Sequence, residues 1–210
     1  MHENATRLRM NLGMFFHALV LAASTGPCDG ATTQMDLNVC WAAQAKAAQQ
    51  RLDEAYRKVT AELQVRRLDA GPVASAQTAW LAARESTCAF EAAIYAGGSI
   101  APMAESMCET RTAQNRTTHL KSYLDYLRAQ SAPPKALPVA SDADAELNRV
   151  YGLLARQLTS AQRSQLLRSE DAWLAYRDKT CAIEGGSCLT DLERERTAEL
   201  EAGWLGEKFW

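Results

Sequence analysis

Apolar positions recur at steps of three and four along most of the chain, and this predicts a protein built almost wholly from helices. Leu37, Trp41, Ala48, Leu52, Ala55/Tyr56, Val59 and Leu63 form the first stripe, with Thr32, Thr33 or Asp36 as its cap and an end near Arg67. Gly71-Pro72 stops it, and Pro72 suits the first turn of a second helix from Val73 to about Tyr95, with Ala76, Trp80 and Ala83 or Arg84 inward. A third helix begins near Pro102 or Ala104 and runs through Leu120, Leu124 and Leu127. After a proline-rich stretch the stripe restarts at Asp144. Leu147, Val150/Tyr151, Leu154 and Leu158 mark a fourth helix, and Leu166, Ala172/Trp173, Tyr176 and Cys181 a fifth. The sixth runs from Cys188 through Leu192, Arg196 and Leu200 towards Trp204. No stretch alternates with period two for long enough to predict a strand.

The pattern is written twice. Leu52-Asp-Glu-Ala-Tyr56 matches Leu147-Asn-Arg-Val-Tyr151, and Trp80-Leu-Ala-Ala-Arg-Glu-Ser-Thr-Cys88 matches Trp173-Leu-Ala-Tyr-Arg-Asp-Lys-Thr-Cys181. From Cys108 and Cys188 onward the copies align without a gap, so Arg116 falls on Arg196, Thr117 on Thr197 and Leu120 on Leu200. Each copy reads helix, helix, loop, helix, and the second is trimmed, chiefly in the loop. The expected fold is therefore all-α: a disulfide-bonded helical bundle made of two tandem helix-hairpin-type repeats.

Composition changes this picture little. With 47% hydrophobic and 23% charged residues and a formal net charge of −2, the chain reads as globular, and no nucleic-acid partner is expected. The first residues are a separate matter. Arg7 and Arg9 precede an apolar run, Met10–Ala23, and small residues follow at Ala22-Ala23-Ser24, the pattern of a secretory signal peptide over residues 1–24. A buried N-terminal helix is the competing reading, but the run is too short to span a membrane. Losing Glu3, Arg7 and Arg9 takes the charge to −3 (−2 − 2 + 1). The expected organisation is a signal peptide at 1–24, a first repeat at 28–129, a Pro/Ala linker at 130–143 and a shortened second repeat at 144–206. No integral membrane segment is expected once the signal is removed.

All six cysteines, 28, 40, 88, 108, 181 and 188, follow the expected cleavage point, and in an exported chain such a set reads as disulfides. Six cysteines allow fifteen pairings. If the repeats share a bridge, the pairs are Cys88–Cys108 and Cys181–Cys188, which leaves Cys28–Cys40.

Few residues carry candidate chemistry. Trp80/Arg84 and Trp173/Arg177 set a guanidinium one turn from an indole. This reads either as a ligand clamp or as a scaffold in which each Arg lies over the ring and pairs with a carboxylate across the helices; duplication favours the scaffold. His119, in the polar part of the third helix, has no second nitrogen ligand beside it, and no Cys-x-x-Cys occurs, so no metal is expected. No phosphate-binding glycine loop or serine elbow appears, and neither catalysis nor a cofactor is expected. The loop GGSIAPM, comprising Gly97, Gly98, Ser99, Ile100, Ala101, Pro102 and Met103, stands apart. It is glycine-rich and apolar, and it is either a preorganised binding surface or a segment folded back on the core.

Taken in order, Cys28-x11-Cys40, Leu-Asp/Asn-x-x-Tyr, Trp-x-x-x-Arg-x-x-x-Cys, Gly-Gly-Ser-Ile-Ala-Pro-Met, and then a Cys heading a Thr/Arg-rich helix resemble the lysozyme-inhibitor LprI-like family. The resemblance covers about Cys28 to Leu127 in full and Asp144 to about Trp204 as a shortened copy. It implies an α-helical, disulfide-bonded protein of the bacterial envelope, periplasmic or secreted, that binds lysozyme, a cationic muramidase, and blocks it without chemistry of its own. The other class of function is a non-catalytic envelope module that binds a different protein or cell-wall material.

Overall fold

A computed structural model describes residues 26–129 and 135–204. The expected signal peptide, the first part of the linker and the last residues of the second repeat lie outside them. Six helices follow in order: α1 (Gln34–Val65), α2 (Gly71–Ile94), α3 (Ala101–Arg128), α4 (Ser141–Gln157), α5 (Ser160–Glu184) and α6 (Cys188–Trp204). None of them is long and apolar enough to cross a membrane.

Local chemistry explains where these helices begin. Thr33 accepts from the Asp36 amide while the Asp36 carboxylate takes the Thr33 amide, a reciprocal cap that starts α1; Thr159 and Gln162 do the same for α5. Pro residues occupy the first turns of α2 and α3. Helix α4 starts three residues earlier than its stripe predicts. A tertiary contact sets that start, because the Ala140 amide donates to Thr190 Oγ1 of α6 at 3.0 Å.

The helices do not pack in chain order. Helix α1 lies along α3, α2 packs on α3 and α5, and α4 lies along α6. Gln34 meets Met103 at the start of both helices and Glu62 meets Arg128 at their ends, so α1 and α3 run parallel. One apolar core runs through both repeats, from Leu52, Val59 and Leu63 through Trp80 and Leu120 to Leu147, Leu166, Trp173 and Leu192.

The two repeats meet through α2 and α5, which run antiparallel. Gln162 at the start of α5 reaches the Ala93 carbonyl at the end of α2, and Thr87 bonds Ser169 at 2.9 Å. Two fully buried arginines cross this interface in mirrored fashion. Arg116 on α3 donates to Gln77 at 3.1 Å and, across the interface, to Thr180 at 3.3 Å. Arg196 on α6 donates to Glu170 at 3.2 Å and, across the interface, to Thr87 at 3.3 Å. By the repeat alignment, Gln77 is the counterpart of Glu170, and Thr87 that of Thr180. The bundle is thus an internal pseudo-dimer about a local two-fold axis.

The symmetry fails at the Nη2 atoms. Arg196 Nη2 donates to Ser169 at 2.7 Å, but the counterpart of Ser169 is Ala76, and Arg116 Nη2 has no hydrogen-bond partner among the protein's side chains. Arg196 also pairs with Glu199, whose carboxyl is pushed up by its burial. Arg111 pairs with Glu91 nearby.

A buried donor left unpaired costs about 1–3 kcal/mol, whereas a satisfied one contributes about 1 kcal/mol. Ser169→Ala is therefore expected to lower stability by about 1–3 kcal/mol, and Ala76→Ser, which restores the missing partner, to raise it by about 1 kcal/mol. Urea denaturation midpoints of the two variants check the pair; two destabilised variants would contradict the assignment.

Candidate functional site

Three disulfides close the frame: Cys28–Cys40, Cys88–Cys108 and Cys181–Cys188, with Cα separations of 5.9, 5.4 and 5.4 Å. Such bonds persist in oxidising compartments. The first two lie at the same end of the molecule as the α2–α3 loop. Because α1 and α3 are parallel and α2 returns between their ends, the starts of α1 and α3 and the close of α2 converge there.

At that end the loop is short and held. Residues 95–100 form consecutive turns, with Gly97 at φ +84°, a conformation that L side chains rarely adopt. The Gly98 amide donates to the Tyr95 carbonyl at 2.9 Å, Asn38 of α1 donates to the Ser99 carbonyl at 3.1 Å, and Gln34 contacts Met103 Sδ. Ala96, Gly97, Gly98 and Ser99 are exposed. Ala101, Pro102 and Met103 of the GGSIAPM stretch belong to the first turn of α3, in keeping with a helix start near Pro102, and proline fits there without losing a hydrogen bond. Ile100 and Met103 are half-buried, so they neither enter the core fully nor stand free.

Sequence reading missed what surrounds this loop. Met35 and Val39, at i and i+4 on the outer face of α1, are 74% and 67% exposed, and Met107 on α3 is also exposed. They sit next in sequence to Gln34 and Asn38, which hold the loop. The charge of the two stretches that build this end is one-sided as well. Residues 26–45 and 95–109 include Asp29, Asp36, Glu105 and Glu109 and no Lys, Arg or His. The signal was present in the sequence, as an i, i+4 apolar pair off the buried stripe and two cation-free stretches. Neither stretch means anything until the fold brings them together.

The trimmed loop of the second repeat is different. Gly185 and Gly186 carry positive φ, and Gly186 exchanges backbone hydrogen bonds with the linker at Lys135 and Leu137. The linker therefore lies against this turn.

The Trp/Arg pairs lie between these ends. Arg84 stacks over Trp80 at 5.0 Å and Arg177 over Trp173 at 5.4 Å. Arg177 pairs with the carboxylate of Glu193 at 2.8 Å. Arg84 does not match the expectation of a carboxylate partner: it bonds the Gln49 amide of α1, because Ala113 stands where the second repeat has Glu193. The cavity lined by both tryptophans, Arg84 and Arg116 measures about 20 Å3, a single water site, which leaves no room for an organic ligand.

His119 also departs from its sequence reading. It is largely buried, 3.3 Å from Glu184 and 3.2 Å from Glu195, both in the second repeat. Burial alone lowers its pKa, but hydrogen bonds and charge from the two glutamates outweigh that and raise it to about 9. Among the described residues, no group of His, Cys, Asp or Glu is placed to hold a metal ion.

Comparison with known proteins adds three findings. A family model described as Lysozyme inhibitor LprI matches residues 27–120 and again 139–200, two copies of which the second is shorter. An uncharacterized protein of Rhizobium meliloti (strain 1021) is 31% identical over 109 residues, covering 47% of this chain and 78% of that protein. The crystal structure of an uncharacterized protein from Burkholderia thailandensis superposes with a TM-score of 0.64 at 20% identity, over 81% of this chain and 87% of that one. This last likeness is one of fold.

The His119 clamp predicts a pH dependence. Its folded pKa, about 9, lies above the ordinary 6.5, so the clamp stabilises fully below pH 6.5 and its contribution is lost as pH rises through 9. The contribution is on the order of 3 kcal/mol at most. His119→Gln should therefore be clearly less stable than the native chain at pH 6 and close to it at pH 9.5, as read by urea midpoints. A gap that persists at pH 9.5 would contradict the clamp.

Proposed function

From the premise that the chain belongs to the lysozyme inhibitor LprI family, we propose that it is a periplasmic or secreted protein that binds lysozyme and blocks it, without catalysing a reaction itself. Residues 1–24 serve as the export signal, and residues 130–143 join the two repeats, 28–129 and 144–206.

One observation carries the reading. The loop end of the first repeat presents Met35, Val39, Ile100, Met103 and Met107 on a frame stapled by two disulfides, and the two stretches that carry them, 26–45 and 95–109, hold four carboxylates and no cation. An apolar centre supplies burial, methionine adapts to an irregular partner, and the surrounding negative charge attracts a cationic one. The mature charge of −3 is a weak field, and the four carboxylates of these two stretches add a local negative contribution to it. Preorganisation matters too, since a loop already held at Ser99 and Met103 loses less entropy on binding. Gly97, Gly98, Ser99, Ile100, Pro102 and Met103 form the contact surface in this reading. Trp80, Arg84, Trp173 and Arg177 act as scaffold.

The oxidised mature protein is expected to slow the turbidity loss of bacterial cell walls treated with lysozyme. Ser99→Trp, which adds bulk at an exposed position, should weaken inhibition at least tenfold and leave helical circular dichroism unchanged. The same loss is expected of Met35→Ser/Val39→Ser. No slowing by the native protein at several-fold molar excess, across lysozymes of different types, would contradict the reading and leave an envelope module with another partner.

A further inference from the structure

A second surface of the first repeat has the opposite character. Along the flank where α1 lies beside α3, a groove of about 400 Å3 is lined by Arg51, Lys58, Lys121 and Arg128, with Glu54 and Asp125 as its only carboxylates. Four cations against two carboxylates leave the groove at +2. Lys58 is held by Glu54 at 2.7 Å, and Arg128 lies 3.8 Å from Glu62. Arg51 and Lys121 are exposed and make no ion pair with any described residue.

The second repeat supplies an internal control. Its equivalent groove, between α4 and α6, is lined by Asp142, Glu146, Glu201 and Arg194, which sum to −2. By the repeat alignment, Arg51 corresponds to Glu146 and Lys121 to Glu201, while Thr117 and Thr197 are the same residue in both grooves. The scaffold therefore accepts either charge at these positions. Folding does not require the basic groove, and its unpaired cations are free for a ligand.

The spacing narrows the ligand. Arg51 and Lys58 are seven residues apart on α1, and Lys121 and Arg128 seven apart on α3, so each pair is separated by about 10.5 Å along its helix. Parallel neighbouring helices set the two rows roughly 8–10 Å apart. The result is a rectangle of cations whose charge repeats along the groove at a distance on the scale of a disaccharide, with two corners, Arg51 and Lys121, free and two, Lys58 and Arg128, shared with Glu54 and Glu62. Guanidinium groups bind carboxylates through paired hydrogen bonds. The geometry points to a groove that binds an acidic glycan carrying one carboxylate per disaccharide. Docking of the acidic groove of a second copy fits less well, because both grooves are concave.

Binding of hyaluronan oligosaccharides to the full oxidised chain, measured by isothermal titration calorimetry, tests this. Hyaluronan should bind at low salt, with an affinity that falls as salt rises, and neutral chitin oligosaccharides of the same length should not bind. Arg51→Glu/Lys121→Glu, which installs the residues of the second repeat, should weaken binding at least tenfold with helicity intact, and Arg51→Gln/Lys121→Gln should weaken it less. Failure of hyaluronan to bind, unchanged binding by the charge-reversed variant, equal binding of chitin oligosaccharides, or tighter binding of polyphosphate would each overturn the proposal. So would a concentration-dependent dimer in sedimentation that Arg51→Glu/Lys121→Glu abolishes. Lysozyme inhibition should not weaken in these variants, since the groove lies on the flank and the loop at the end.

Discussion

Two buried guanidiniums set the geometry of this protein. A charge taken out of water must find partners, and removing one member of a buried pair costs about 3–5 kcal/mol. Arg116 and Arg196 find theirs partly in their own repeat, at Gln77 and Glu170, and partly in the other, at Thr180 and Thr87. Sliding α5 along α2 by one residue would break both crossings together. Apolar burial of Trp80, Trp173 and Leu166 supplies much of the driving force for association, but it is indifferent to register. The arginines select one antiparallel arrangement among many that would bury similar area.

That register decides where everything else goes. Because α2 and α5 are antiparallel, the loops that follow them point to opposite ends. One end carries the longer loop with two disulfides, an exposed methionine and valine pair and two stretches, 26–45 and 95–109, that hold carboxylates and no cation. At the other, the short glycine turn of the second repeat is covered by the incoming linker, and His119 ties α3 to Glu184 and Glu195. Two copies of one pattern thus yield a molecule with distinct ends and with flanks of opposite charge. Duplication supplied the scaffold, and divergence at a few surface positions supplied the asymmetry.

Much of the fold was legible in the sequence for definite reasons. Stripes with helical period, capping threonines and proline starts predict the six helices, and the repeat limits the cysteine pairing. What the stripes cannot convey is partner choice. The apolar face of α1 looks the same whether it meets α2 or α3, so the parallel α1–α3 pairing was not readable. His119 looked polar because a histidine beside charged neighbours gives no hint that carboxylates from another repeat will enclose it. Arg84 looked like a copy of Arg177, yet its partner is Gln49, because Glu193 has no carboxylate counterpart at Ala113. The candidate site was half legible. Gly97 to Met103 stood out by composition, whereas Met35, Val39 and the cation-free surroundings gain meaning only from the convergence of α1, α2 and α3.

On the proposed reading, lysozyme is met by the loop end of the first repeat and not by the flanks. Hydrogen–deuterium exchange of the oxidised protein with and without excess lysozyme tests it most directly. Added protection is expected only at residues 34–41 and 95–107, with α4, α6 and the α1–α3 flank unchanged. Protection centred on α4 and α6, or spread evenly along the bundle, would contradict it.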